Sequence, residues 1–182
     1  MVEKNAKKKH IFIVGAKSIG QYGGYETFLN KLTEQHKNNS NIQYYISAKA
    51  NGIGHMDETK LEGVVRIDDQ SFLYNNAFVT KIEVPQIGAA QAILYDIKSL
   101  DYWIKYCEKN EIKSPVFYIL ACRIGFALKN FAKRIHKLDG VVYVNPDGDR
   151  QILATKNSGH ILTNTLNWMY YSTRSSDCTC AA

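Results

Sequence analysis

Ile11-Phe12-Ile13-Val14-Gly15-Ala16-Lys17-Ser18-Ile19-Gly20-Gln21-Tyr22-Gly23-Gly24-Tyr25-Glu26-Thr27-Phe28-Leu29 reads as a buried strand, a glycine-rich turn and the start of a helix. Glycine has no Cβ and permits φ > 0, so a turn carrying Gly15, Gly20, Gly23 and Gly24 lets the main chain come within hydrogen-bonding distance of a ligand. The N–H groups of a helix's first turn, with the positive end of its dipole, favour a phosphate or another anionic or hydroxyl-rich group there. The plainer reading is that Gly23-Gly24 only shapes a tight connection. Spacing argues against two familiar phosphate loops. A P-loop needs Lys-Ser or Lys-Thr after its last glycine, and Gly24 is followed by Tyr25-Glu26, which disfavours an ATPase. The dinucleotide fingerprint wants glycines at turn positions 1, 3 and 6; here position 3 is Lys17, and Gly15 and Gly20 match the pattern only in part. A nicotinamide cofactor is a second choice.

Outward from this stretch, strands and helices alternate to about residue 148. Tyr25, Phe28, Leu29 and Leu32 make a helical stripe, which ends in the polar run Lys37-Asn38-Asn39-Ser40-Asn41. Ile42 to Ala48 is aromatic and β-branched and reads as a strand. A polar, glycine-containing stretch follows, then two expected short strands, Val64 to Ile67 and Phe78 to Val84. After Pro85-Gln86-Ile87-Gly88, the positions Ala90, Ile93, Leu94, Ile97, Leu100, Ile104 and Cys107 predict one long helix with one buried face. Val116 to Ala121 is almost wholly apolar, as a central parallel strand buried on both faces should be. Ile124, Ala127, Leu128, Phe131, Ile135 and Leu138 stripe another helix, and Val141 to Asn145 is a last strand before Pro146-Asp147-Gly148.

That alternation predicts an α/β fold: a Rossmann-like parallel sheet with helices on both faces. Ligands in such sheets bind at the carboxyl ends of the strands. Four strand ends would then gather the Gly15 to Gly24 loop, the Pro85 to Gly88 turn, Cys122-Arg123 and Asn145-Pro146-Asp147-Gly148. Glycine loops, a guanidinium and a carboxylate together suit a polyhydroxylated or phosphorylated ligand.

Composition bounds the rest. With 182 residues, 45% hydrophobic and 22% charged, the chain has the makeup of one globular domain with a real core. The basic start, Lys4 to His10, precedes only four apolar residues, so it reads as neither a signal peptide nor an anchor, and a cytoplasmic location is expected. The net charge of +6 is modest, and four of its lysines lie in the first nine residues. Those residues form a solvated arm or touch anionic lipid head groups at the inner membrane face. No basic stripe interleaved with aromatics suggests nucleic acid. Cys107, Cys122, Cys178 and Cys180 lack zinc spacing and read as free thiols of a reducing compartment; His55, His136 and His160 are scattered, and no metal site is expected.

In order along the chain stand Gly-x4-Gly-x-Tyr-Gly-Gly-Tyr-Glu-Thr-Phe, Val84-Pro85-Gln86-Ile87-Gly88 with Tyr95-Asp96, Phe117 to Gly125, and Val144-Asn145-Pro146-Asp147-Gly148. Together they resemble the N-terminal domain of bacterial rhamnosyltransferases, family-4-type (GT-B) retaining glycosyltransferases of capsule and surface-polysaccharide synthesis. The resemblance covers residues 10 to 148. It implies one lobe of a two-lobed enzyme, this lobe holding the acceptor sugar and the other the nucleotide sugar. By that likeness Gly20, Tyr22, Gly23, Gly24 and Glu26 line the cleft, Arg123 faces an acceptor or a phosphate, and Asp147 is the catalytic candidate beside the reacting sugar. The implied partners are a nucleotide sugar such as dTDP-rhamnose, as substrate, and a lipid-linked acceptor, with no cofactor and no protein-bound metal. Each residue also has a plainer reading: Glu26 as a first-turn charge, Arg123 as the partner of a neighbouring acid, Asp147 as an Asp-Gly turn.

Beyond residue 148 the pattern departs from that family. Residues 149 to 182 lose periodicity and read as a poorly ordered or non-homologous tail; residues 1 to 9 are the basic arm and 10 to 148 the domain. The expectation is a truncated product, inactive alone for lack of a donor-binding lobe, or half of a split enzyme whose other lobe is a separate partner. Two other classes stay open: a small Rossmann-like nucleotide- or dinucleotide-binding protein, and a non-catalytic sugar- or partner-binding module.

Overall fold

The computed structural model describes residues 8–121 and 123–145. Seven strands and three helices alternate as β1 (Lys9–Val14), α1 (Gly24–Gln35), β2 (Ile42–Lys49), β3 (Val65–Arg66), β4 (Ser71–Tyr74), β5 (Ala77–Ile82), α2 (Ala90–Lys109), β6 (Val116–Ile119), α3 (Gly125–His136) and β7 (Val141–Val144). A short 3₁₀ turn, Glu58–Lys60, interrupts the loop after β2. The sheet order is β3-β4-β5-β2-β1-β6-β7. Strands β5, β2, β1, β6 and β7 run parallel, which is the Rossmann-like α/β arrangement. The chain builds outward from β1 through β2 to β5, then crosses by α2 to β6 on the other side of β1. The β1/β6 boundary is thus the point where the winding reverses, and a crevice opens there at the strands' carboxyl ends.

The expectation of a purely parallel sheet is corrected at one edge. Strands β3 and β4 are antiparallel additions beside β5. Strand β4 was not foreseen; it joins β5 through a two-residue turn, Asn75-Asn76, with Asn75 at φ 51°. The expected Val64 to Ile67 and Phe78 to Val84 strands shorten to Val65–Arg66 and end at Ile82.

Side-chain alternation along β1 sends Phe12 and Val14 to one face and Ile13 to the other. The first face is aromatic and lies under α2 and α3: Phe12 stacks on Tyr45 and Phe117 at ring separations of 4.5 and 4.9 Å, and Trp103 fills the space above them. The Trp103 indole N–H donates to Ser47 Oγ at 2.7 Å, so the largest buried side chain leaves no orphan donor. The second face is mostly aliphatic and lies under α1, with Ile13, Ile46, Val79 and Leu29 at its centre.

Helix α2 is rotated from the stripe its sequence suggests. Its buried residues are Tyr95, Asp96, Ser99, Leu100, Trp103, Ile104 and Cys107, while Ile93 and Ile97 lie at the margin. Asp96 and Ser99 occupy core positions because this face of the helix presents Tyr95 to Ala16 O in the loop after β1 and Asp96 to Arg123 in the loop after β6. Cys107 is a free thiol, buried, and burial pushes its pKa up to about 12, which makes it a packing residue and not a nucleophile. Among the described residues no helix is long and apolar enough to cross a membrane. Residues 1–7, Cys122 and residues 146–182 lie outside the described residues, and with them Asp147, Cys178, Cys180 and the tail.

Candidate functional site

The chain leaves β1 at Gly15, whose φ of 113° suits glycine; a Cβ there would stand 3.1 Å from Ala121 N and 3.3 Å from Leu120 Cβ. Glycine thus lets the ends of β1 and β6 close on each other. The next three carbonyls each find a partner from a different element. Gly15 O accepts from Arg123 Nη2 (3.1 Å), Ala16 O from the Tyr95 hydroxyl (2.7 Å), and Lys17 O from Lys49 N (2.7 Å). In return the Lys17 N–H donates to Glu26 Oε1 at 3.0 Å. The loop is therefore tied to the segment after β6, to α2, to β2 and to α1.

Glu26 sits in the first turn of α1 and is buried. Its carboxylate folds back under Gly23, where φ is 148° and an added Cβ would overlap Glu26 Oε2. The first-turn charge expected from sequence is present, and it also clasps the glycine loop shut.

Arg123 pairs with Asp96, the arrangement its plainer reading anticipated. Nε donates to Asp96 Oδ2 at 2.7 Å and Nη2 to Asp96 Oδ1 at 3.0 Å. The Asp96 side chain is wholly buried while that of Arg123 is 33% exposed. Burial drives the Asp96 carboxyl above its ordinary pKa, with the guanidinium hydrogen bonds pulling against that. For Arg123 burial works against the charge, but the Asp96 hydrogen bonds outweigh it and raise the pKa, so the cation persists. Burial, then Asp96, lifts the Tyr95 hydroxyl well above its usual range, so it remains a donor to Ala16 O.

These groups border a cleft of about 570 Å³ lined by Gly15, Lys17, Gly24, Tyr25, Glu26, Phe28, Tyr118, Leu120, Arg123 and Asn145. It lies at the reversal of winding between β1 and β6. Phe28 and Tyr118 meet edge to face at 6.4 Å and form an aromatic wall. Asn145, just past β7, donates its backbone N–H to Ile119 O at 2.8 Å, which fixes it at the rim. An adjoining hollow of about 620 Å³ is lined by Lys17, Ser18, Gly20, Gln21, Tyr22, Gly23, Glu26, Gly54 and Lys60. Tyr22 stands fully exposed there.

Of the residues singled out in the sequence, Gly24, Glu26 and Arg123 meet in the first cleft; Gly20, Tyr22 and Gly23 line the second hollow, with Glu26 between them. The Pro85 to Gly88 turn was expected to join the site and does not: Pro85 borders a separate recess with Asn51, Glu83, Val84 and Lys98. Lys17, in the glycine loop, and Asn145, at the last strand end, line the cleft where the strand-end rule put them; Tyr25, Phe28 and Tyr118 line it without having been named as site residues, and Tyr95 and Asp96, noted in the sequence as a motif, prove to support it. The same strand-end position could have flagged Tyr118. Lys49, at the end of β2, is a further buried cation whose hydrogen-bond acceptors among the described residues are neutral, Ile53 O and Gln91 Oε1, each at 3.2 Å. Burial, then the charges of Lys17 and Arg123, hold its ammonium below the usual lysine range.

A family model matches residues 8–164, described as Domain of unknown function (DUF1972). The chain belongs to that family. Its matched span takes in every strand and helix of the sheet. No curated protein matches the chain. The cleft is therefore a feature of a DUF1972 domain, formed by the loop after β1, the first turn of α1 and the ends of β6 and β7.

Proposed function

We propose that this DUF1972 chain is the acceptor-side domain of a retaining glycosyltransferase of the rhamnosyltransferase kind, which holds the sugar of a lipid-linked polysaccharide precursor while a nucleotide-sugar donor sits on a second lobe. One observation carries the reading: the cleft is walled by aromatic rings, and the guanidinium that lines it is already paired with a buried carboxylate. Lys17, Glu26 and Arg123 are the charged residues of its lining; with Asp96 behind Arg123 and Lys49 close to both cations, three positive charges stand against two negative ones. A site built to hold a nucleotide diphosphate by itself would show a larger excess of cations. A pyranose instead offers apolar ring hydrogens, which pack on aromatic faces such as Tyr118 and Phe28, and hydroxyls, which pair with planar groups such as Arg123, Glu26 and Asn145. The positive end of α1 at Gly24 would still face a donor phosphate across the cleft. DUF1972 is known at the N-termini of glycosyltransferases, which supports the same class.

In this reading the domain binds and orients the acceptor hydroxyl, and transfer requires the donor lobe to close over it and exclude water. The donor lobe would stand in the chain's continuation or on another polypeptide. The acceptor's lipid anchor would bring the domain to the inner membrane face. The test joins the chain to a complete donor-binding lobe and follows transfer from dTDP-rhamnose to a lipid-linked acceptor in membranes. Transfer by the joined protein and none by the bare chain is the expected result. No transfer by the joined protein, with tight NAD(P)H binding by the bare chain, would replace this reading by the dinucleotide one.

A further inference from the structure

Among the described residues Asp96 is the most deeply buried carboxylate, with no exposure, and it spends both oxygens on one guanidinium. A guanidinium has five N–H donors in a planar fork. In Arg123 the Nε hydrogen goes to Asp96, and Nη2 is shared between Asp96 Oδ1 and Gly15 O. The two hydrogens on Nη1 have no hydrogen-bond partner among the described residues, and Arg123 lines the cleft with a third of its side chain exposed. Two bonds to one carboxylate and a third to a main-chain carbonyl fix the plane of the fork, so only one edge is left to turn outward.

We infer that Asp96 is a positioning residue: it holds Arg123 so that the Nη1 edge faces the cleft as an oriented pair of donors for a ligand hydroxyl, while cancelling the charge that would favour an anion. The inference rests on the sugar-binding reading of the cleft and adds a residue that never touches the ligand. Asp96 lies behind Arg123, wholly out of solvent. Replacing it with asparagine keeps the shape but sets an amide donor against one of the guanidinium donors, so the fork loses a bond and its fixed plane. Lysine at position 123 keeps a cation, yet one ammonium cannot span both Asp96 oxygens, Gly15 O and the cleft.

The test uses the full chain labelled with ¹⁵N. In the wild type the Arg123 Nε–H should give a slowly exchanging resonance, and titration with methyl α-L-rhamnopyranoside should shift Gly15, Gly24 and Arg123. In D96N that Nε–H signal should be lost and affinity for the glycoside should fall about tenfold, the effect of one hydrogen bond to a charged group, with the β1 and β6 amide resonances in place. D101N is the control. It removes the partner of Arg134 (2.7 Å) on the same helix away from the cleft, and should change neither readout. If D96N does not fold, R123K takes its place, with the same loss of affinity expected on an intact sheet. The inference is overturned if the wild-type Nε–H exchanges freely, if D96N or R123K keeps wild-type affinity, or if D101N weakens binding as much as D96N. A wild type with an ordered Arg123 but no response to the glycoside would overturn the sugar reading instead.

Discussion

Two carboxylates of this domain are drawn out of water and paired with cations, and they do different work. Asp96 is fully enclosed, meets a single guanidinium, and has its pKa raised by burial. Glu58, at the β3–β5 edge, is 10% exposed and takes Lys81 Nζ and Arg66 Nη2 on the same oxygen, each at 2.8 Å. Burial also acts against its charge, but the Lys81 and Arg66 contacts win and hold its pKa below the usual carboxylate range. Two cations at a sheet edge stabilise a negative charge outright. One cation in the interior leaves the pair near balance, and what it adds is direction: Arg123 aimed at the cleft. The Glu58 cluster pins a hairpin, and the Asp96 pair arranges a binding surface.

The comparison breaks most sharply at Asp96. D96A strands a partly buried guanidinium without its counter-charge, and denaturant unfolding should show a loss of about 3 kcal/mol. A loss no larger than that of E58Q would erase the distinction between the two pairs. E58Q should cost about 1–2 kcal/mol at neutral pH, since Lys81 and Arg66 keep some access to water. Its pH dependence follows from the depressed pKa. The contribution of Glu58 is complete above its unfolded value of about 4.3 and disappears as pH falls through the lower folded value, so the wild-type and E58Q stabilities should converge on acidification. A gap that stays constant down to pH about 2 would mean the ion pair contributes nothing.

Smaller effects are expected in the loop that Asp96 helps to hold. G23A forces a Cβ onto Glu26 Oε2 at a positive φ, so the Lys17 to Glu26 clasp must open. A stability loss of about 1–2 kcal/mol and faster amide exchange at Lys17 should follow. G24A, one residue on, places its Cβ in open space on the first turn of α1 and should fall within about 0.5 kcal/mol of wild type. Equal losses for both would show that the clasp does not matter.

The sheet was legible because its signals are local. Ile11 to Val14 running into Gly15, and the apolar run Val116 to Ala121, announce central strands and the crevice between them. The hairpin was harder. Asn75-Asn76 between Phe72-Leu73-Tyr74 and Ala77-Phe78-Val79 is a two-residue turn signal, yet without a glycine it blends into one polar break. Helix α2 misled more: Ile93 and Ile97 outweighed Tyr95, Asp96 and Ser99 by hydrophobicity, whereas the helix turns those polar residues inward, Tyr95 to Ala16 O and Asp96 to Arg123. The Arg123–Asp96 pair joins residues 27 apart on different elements, and the aromatic wall joins α1 to β6. Such contacts depend on how the elements are rotated, which periodicity leaves open. Arg123 could be read as a site residue from its strand-end position, but the carboxylate that aims it could not.

The central claim is that the cleft at the β1/β6 boundary takes a neutral sugar and not a free anion or a dinucleotide. Its most direct measurement is a side-by-side NMR titration of the ¹⁵N-labelled chain with methyl α-L-rhamnopyranoside, inorganic pyrophosphate and NADH. The glycoside should shift Gly15, Gly24 and the Arg123 side chain in a saturable way, with pyrophosphate and NADH leaving the Arg123 resonance in place. Saturation of that same set by pyrophosphate or NADH, with no response to the glycoside, would contradict the account.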